Sequence, residues 1–307
     1  MRALPTPRQL LYLVTVAETL HFGRAAERCH VTQSTLSAGL RELETLLGVT
    51  LVERQTRRRV ILTPVGQEVV ARAQRLLADA EALVDTAAAR AAPLSGLLRL
   101  GVIPTIGPYL LPGVLPGLRR TYPDLRLYLR EDLTDALLSA LAAGVLDVAL
   151  VAMPFDLRGM VSVPIGAEDI VVALPADHAL AAQKTLREAD LTDQPLLMLE
   201  DGHCLRDHAL TACHMSRARA NEAFQATSLT MLTQMVAAGL GLTLLPRMAV
   251  DREITPGGGV VTRDLTGAGT ARTLVLAWRP GAARDADYRL LADALRASLD
   301  GTPAPAC

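Results

Sequence analysis

Apolar residues at Leu10, Leu11, Leu13, Val14 and Ala17 return at helical spacing and predict a first helix close to the N-terminus. The run from Gly23 to Cys29 predicts a second, shorter helix, and His30 with Val31 the turn that ends it. Thr32 is suited to cap a third helix over residues 33–47, because a threonine hydroxyl accepts a hydrogen bond from an amide of the first turn. Gly48 is suited to end that helix, since glycine adopts a left-handed C-terminal conformation easily. Leu36, Leu40, Leu43 and Leu47 fall on one of its faces. Residues 51–62 then alternate loosely between apolar and polar and gather arginines at their middle, the pattern of a hairpin. Three short helices with a hairpin make an N-terminal, otherwise all-α, winged helix-turn-helix over residues 1–62.

Residues 64–90 contain no proline or glycine after Gly66. Their apolar positions Val65, Val69, Ala73, Leu76, Ala80, Leu83 and Ala87 step by four, four, three, four, three and four. That is close to a heptad seam, so residues 63–92 predict a long linker helix that pairs with a second copy as a coiled coil. One amphipathic helix packed on its own domain would leave much the same pattern. Past a break at 93–96 the period changes. Apolar strands at 97–103, 126–131 and 148–152 alternate with helical stretches at 110–121 and 133–144. The rhythm returns with strands at 170–174, 196–199 and 242–245, a helix at 228–239, and a last strand and helix at 272–278 and 288–299. This is an α/β pattern. A late return of the chain to the first lobe predicts a two-lobed, periplasmic-binding-protein-like regulatory domain over 93–307, with lobe I about 97–167 and 272–300 and lobe II about 168–271. Ligands in such architectures sit in the cleft between lobes.

Half of the 307 residues are apolar but only 3% are aromatic, so the cores must be filled by Leu, Val, Ile and Ala. The length suffices for two or three packed domains. Lys184 is the one lysine among 31 basic residues, a bias read mainly as genomic. The net charge of −1 does not advertise nucleic acid, but its distribution does. Residues 1–62 hold nine arginines against five glutamates, a net of +4, which leaves −5 for the rest. A basic head on a mildly acidic body suits a DNA-binding regulator. No signal peptide and no stretch of about 18 uncharged apolar residues is visible. The expected location is the cytoplasm, where disulfides are usually transient and either catalytic or sensory.

Cys204 and Cys213 stand out against that background, nine residues apart in a chain of four cysteines. On a continuous α-helix this spacing puts them about 900° around the axis, on opposite faces, and roughly 13 Å apart along it. A disulfide needs Cα atoms within about 7 Å. A bond between them therefore requires the local backbone to refold. By spacing alone, two ordinary buried cysteines fit better than a redox pair. His203, His208 and His214 nearby are zinc-type ligands, but the pattern H-C-x3-H-x4-C-H lacks the paired C-x2-C of structural zinc sites, so neither a metal nor another cofactor is expected. Cys29 reads as a small core residue and Cys307 as functionally silent.

Four segments change the balance: residues 25–33 (AAERCHVTQ), 103–112 (IPTIGPYLLP), 197–207 (LMLEDGHCLRD) and 235–246 (MVAAGLGLTLLP). The first and last resemble the LysR-type transcriptional regulators, and the likeness extends over essentially the whole chain. The Gly202–Asp207 segment, with a second cysteine nine residues after the first, resembles in particular the hydrogen-peroxide-sensing members of that family. The resemblance implies that Cys204 is the peroxidatic cysteine, oxidised first to a sulfenic acid, and that Cys213 is the resolving cysteine that condenses with it. It implies that His203, Arg206 and Asp207 flank the reactive sulfur. It also implies that the hydroxyls of Thr105 and Thr134 help place peroxide and water, and that Arg272 approaches the sulfur from the other lobe. Peroxide oxidises thiolate, a form that cations such as Arg206 and Arg272 would favour. Ala212, Ala223 and Thr230 depart from the family's usual aromatic, histidine and glutamate.

At the start of the third helix, Thr32, Gln33, Ser34 and Thr35 are expected at the DNA, with Gln33, Ser34 and Thr35 facing the major groove. Glutamine can read adenine with two hydrogen bonds. Arg41, Arg54, Arg57, Arg58 and Arg59 are expected on phosphates, which gives affinity and salt dependence but little sequence choice. The implied partners are double-stranded promoter DNA, further copies of the chain as homodimer or homotetramer, RNA polymerase, and a thiol reductant such as a glutaredoxin or thioredoxin, with no membrane. The expected protein is an activator rather than an enzyme. Two rivals stay in view. One is a LysR-type regulator whose cleft binds a small metabolite, with Thr105 on a carboxylate-like group. The other is a thiol peroxidase, against which the winged helix-turn-helix argues.

Overall fold

Helix α1 (Pro7–Thr19) starts at a capping box, in which Thr6 and Gln9 satisfy each other's backbone amides. Helix α2 (Phe22–Arg28) is capped by the ring of His21, whose Nδ1 accepts from the amides of Gly23 and Arg24 at 3.1 and 3.3 Å. His30 takes a positive φ of 54° in the turn that follows. Helix α3 (Gln33–Leu47) begins at Thr32, whose hydroxyl accepts from the Thr35 amide at 3.2 Å, and ends at Gly48 in the left-handed conformation. Strands β1 (Val52–Thr56) and β2 (Arg59–Leu62) pair antiparallel as the wing. This computed structural model describes residues 3–56, 59–89, 92–206, 224–267 and 270–299.

Leu10, Leu13, Leu36, Leu40, Leu43, Leu51 and Val60 form the core of this head, and Val70 and Ala73 join it from helix α4 (Pro64–Ala89). The first half of α4 is thus committed to its own domain: Val69 and Leu77 also pack there. Leu76 and Leu83 are left 57% and 75% exposed. The seam read from the sequence therefore divides: Val69 and Ala73 pack on the head, while Val65, Leu76 and Leu83 are exposed.

The regulatory part is built on two apolar cores. Strands β3 (Gly96–Val102), β4 (Leu125–Glu131) and β5 (Val148–Met153) run parallel in the order β4-β3-β5. Helices α5 (Gly107–Thr121) and α6 (Thr134–Ala142) connect them. Strand β12 (Ala271–Trp278) lies antiparallel between β5 and the first half of β6 (Val161–Pro175). The second half of β6 belongs to the other lobe, where it pairs with β10 (Thr243–Pro246) and β11 (Val260–Thr266); β11 in turn pairs with β7 (Thr185–Arg187). Strands β8 (Met198–Leu199) and β9 (Gln225–Ala226) form a short parallel pair. A closing helix, Asp285–Leu299, covers β6 and α5 and carries Tyr288 edge-on to Trp278, with ring centroids 5.6 Å apart.

Two lobes sharing one long strand and a late return through β12 are the α/β, periplasmic-binding-protein-like arrangement anticipated above. The extent of β6 is new. Residues 161–169 carry Pro164 and Gly166, which break a strand pattern, yet the pairing with β12 absorbs them through a register shift between Leu274 and Val275. A Cβ at Gly166 would meet Leu299 Cδ2 at 2.4 Å, so any larger residue there would displace that side chain. Across the lobes, Tyr109 of α5 packs on the second core and donates to Glu253 at 2.6 Å.

Candidate functional site

Cys204 carries a thiol, is buried at 4% exposure, and packs with the first lobe's core although it follows β8 of the second. Asp201 and Gly202 turn the chain into it, with Gly202 at φ +97°. His203 precedes it, and Cys204, Leu205 and Arg206 are helical. Asp207 and Cys213 lie outside the described residues.

The sulfur shares a small hollow with Ile103, Pro104, Thr105, Leu133, Thr134, Gly202 and His203. The apolar members come from the loop after β3 and from the residue before α6 in the first lobe, while Gly202 and His203 come from the second, so both lobes contribute walls. The walls close on one another and leave no space for a water molecule. Thr134 is 1% exposed, and its Oγ1 finds no hydrogen-bond partner among the described residues. A buried hydroxyl left in that condition costs about 1–3 kcal/mol. That oxygen lines the same hollow as Cys204.

Thr105 is held from behind. Arg272 donates from Nη1 to the Thr105 hydroxyl and from Nη2 to its carbonyl, both at 2.8 Å. The guanidinium is neutralised by Glu168, which accepts from Nε at 2.8 Å and stands 2.7 Å from Nη2. Both side chains are essentially dry. Removing one member of such a pair strands a buried charge at a cost of about 3–5 kcal/mol. Glu168 also accepts from the Met248 amide at 3.1 Å. Arg272 thus acts on the hollow through Thr105 and is not one of its lining residues. Glu168 had no sequence signal: it is one acid in the Ala167-Glu168-Asp169 run, and only the pairing of β6 with β12 sets it opposite Arg272.

Arg206 behaves differently from its neighbour in sequence. It donates to the Leu199 carbonyl at 2.9 Å, faces Asp201 at 3.0 Å, and lines a separate hollow with Leu196–Leu199, Leu232, Thr243 and Leu244. Its guanidinium is turned towards the loop that carries Cys204, with Nε near Asp201 but making no hydrogen bond among the described residues. His203 is buried, and desolvation holds its imidazole below the ordinary histidine range against an opposing pull from Glu200.

In the head, Thr32, Gln33, Ser34 and Thr35 form an exposed first turn of α3. Thr32 Oγ1 is engaged with the hydroxyls of Ser34 and Thr35, at 2.9 and 2.8 Å, as well as with the cap. Arg41 is exposed and donates to Ser37 at 3.2 Å. Arg54 and Arg59 occupy the two wing strands, and Arg57 and Arg58 lie outside the described residues.

Residues 7–67 match the bacterial regulatory helix-turn-helix proteins of the lysR family, and residues 91–300 the LysR substrate binding domain. The DNA-binding transcriptional dual regulator OxyR of Escherichia coli K12 is 44% identical over 294 residues, covering 96% of each chain. A full-length Pseudomonas aeruginosa OxyR with a cysteine-to-aspartate substitution is 40% identical and superposes with a TM-score of 0.79, covering 95% of this chain and 98% of that one. A Corynebacterium glutamicum OxyR with a cysteine-to-serine substitution, bound to H2O2, is 36% identical with a TM-score of 0.68, covering 98% and 94%. Among the described residues no helix is long and apolar enough to cross a membrane. With both of its parts matched and its relatives aligned from end to end, the chain belongs to the LysR family of bacterial transcriptional regulators, as an OxyR-type member.

Proposed function

We propose that this regulator senses hydrogen peroxide through reversible oxidation of Cys204, followed by a disulfide with Cys213. The Cys204 thiolate attacks one peroxide oxygen; the S–O bond forms, the O–O bond breaks, and hydroxide leaves to be protonated to water. The Cys213 thiol then attacks the sulfenic sulfur and releases a second water. The observation that carries the reading is the convergence of Cys204 with the Thr105 and Thr134 hydroxyls in one dry hollow, with the Thr134 oxygen unsatisfied. The hollow is closed even to water as it stands, so a small displacement of its walls would admit hydrogen peroxide, whereas a metabolite would need a far larger one. His203 walls it, Arg272 positions Thr105, and Arg206 and Asp207 belong to the segment that must rearrange when the two sulfurs meet.

Residues 1–62 serve as the DNA-binding head, with Gln33, Ser34 and Thr35 on bases and Arg41, Arg54, Arg57, Arg58 and Arg59 on phosphates. Residues 63–92 dimerise, and residues 93–307 sense. The protein works in the cytoplasm as a homotetramer and activator, addresses RNA polymerase, and is reset by a thiol reductant such as a glutaredoxin or thioredoxin. The test is anaerobic treatment with one equivalent of hydrogen peroxide, immediate thiol trapping and peptide mass spectrometry. A dominant Cys204–Cys213 crosslink is expected. Both thiols recovered free, in protein that still binds DNA, would remove the peroxide reading.

A further inference from the structure

We infer that Glu168 is a positioning residue for the oxidation of Cys204: through Arg272 it fixes the Thr105 hydroxyl as a hydrogen-bond donor inside the peroxide hollow. The inference rests on the peroxide reading above. Glu168 touches neither the sulfur nor the hollow. Its role follows from how donors and acceptors are used up along one buried chain.

Glu168 Oε2 takes Nε and Nη2 of Arg272, and Oε1 takes the Met248 amide. Held on that side, the planar guanidinium points Nη1 at Thr105 Oγ1 and Nη2 at the Thr105 carbonyl. A hydroxyl has one hydrogen to give and two lone pairs to receive with. The oxygen of Thr105 already receives from Arg272, so its own hydrogen is left to give, and the residue lines the hollow beside Cys204. When the thiolate attacks, negative charge develops on the departing peroxide oxygen as the O–O bond breaks. A donor fixed in place before the reaction stabilises that charge without having to reorganise. Arginine is suited to this because its fork is rigid and always charged, but a rigid fork must itself be held, and Glu168 holds it. The connection to Met248 means that the second lobe's backbone takes part in setting a hydroxyl that belongs to the first.

The test uses the full-length protein with Glu168→Gln and follows two reactions of Cys204, oxidation by hydrogen peroxide and alkylation by iodoacetamide. Alkylation needs the same access and the same thiolate but no donor on a leaving oxygen. The peroxide rate constant is expected to fall about ten- to a hundredfold, with alkylation within about twofold of wild type. Thr105→Val should reproduce the loss, Thr105→Ser should not, and combining Glu168→Gln with Thr105→Val should add nothing further, since both act on one group. The inference is overturned if Glu168→Gln reacts with peroxide at the wild-type rate, if both reactions slow together, or if the two losses multiply. Should Glu168→Gln fail to fold, Glu168→Gln/Arg272→Met removes both charges and is read by the same criteria. A wild-type Cys204 that peroxide does not oxidise has a different signature and overturns the underlying reading as well.

Discussion

Thr134 shows how a single atom can trade stability for chemistry. Its hydroxyl is buried and finds no partner among the described residues, which ordinarily counts against a fold. Thr134→Val keeps the branched shape and removes the orphan, so denaturant melts should give equal or greater stability, by up to about 1 kcal/mol, while the peroxide rate constant of Cys204 falls. A loss of stability would mean that the oxygen is satisfied in the native protein. His203 makes a second prediction, on pH. Burial depresses its folded pKa below the unfolded value near 6.5, so the unfolded chain takes up the proton first. Above about pH 6.5 both states are neutral and the residue contributes nothing; as pH falls below that, stability falls with it. His203→Gln should flatten this part of the stability profile between about pH 7 and pH 5, and an unchanged slope would assign it to other groups. Of the residues named from sequence, Thr105, Thr134, His203 and Cys204 line one hollow, and Arg272 reaches it through Thr105. Glu168 was not legible in the sequence, because a buried acid in a strand leaves no periodic trace. The destination of Arg206 was also hidden, since adjacency in sequence does not say which way a helical side chain turns.

At the scale of elements, most helices and the short buried strands were legible because their apolar spacing is regular. The first half of β6 was not: Pro164 and Gly166 signal a break, and only the pairing with β12, with its register shift, accommodates them. Helix α4 was legible as a helix but not in its allegiance. A 3-4 spacing looks the same whether it faces its own domain or a second copy, and here Val70 and Ala73 turn inward while Leu76 and Leu83 stay exposed. That division makes a specific prediction. Leu76→Glu with Leu83→Glu should break self-association, read as a fall in sedimentation mass, while leaving the melting of the head unchanged. Val70→Ala should do the reverse, destabilising the head by about 1–2 kcal/mol through loss of buried methyl groups. If the glutamate pair leaves the assembly intact, the coiled-coil seam is wrong and association resides elsewhere.

Over the whole molecule, affinity and sensing draw on different physics held by separate cores. On the proposed reading the head holds DNA through the exposed first turn of α3 and through arginines, a surface electrostatic device that salt weakens. On the same reading the sensor would work through a buried sulfur, two hydroxyls and a dry ion pair, which salt barely reaches. A substitution in one should therefore be silent in the other as long as Cys204 is reduced. Arg41 is exposed and about two turns along α3 from Gln33, Ser34 and Thr35, the residues proposed to meet bases, so Arg41→Ala should weaken binding to all DNA sequences alike. The slope of log affinity against log salt should become shallower by about one unit. The rate constant for peroxide with Cys204 should stay within about twofold of wild type. A footprint that loses sequence preference instead would place Arg41 on a base. A changed oxidation rate would mean that the head already constrains the sensor before peroxide arrives, so that the bound promoter tunes how readily the switch is thrown.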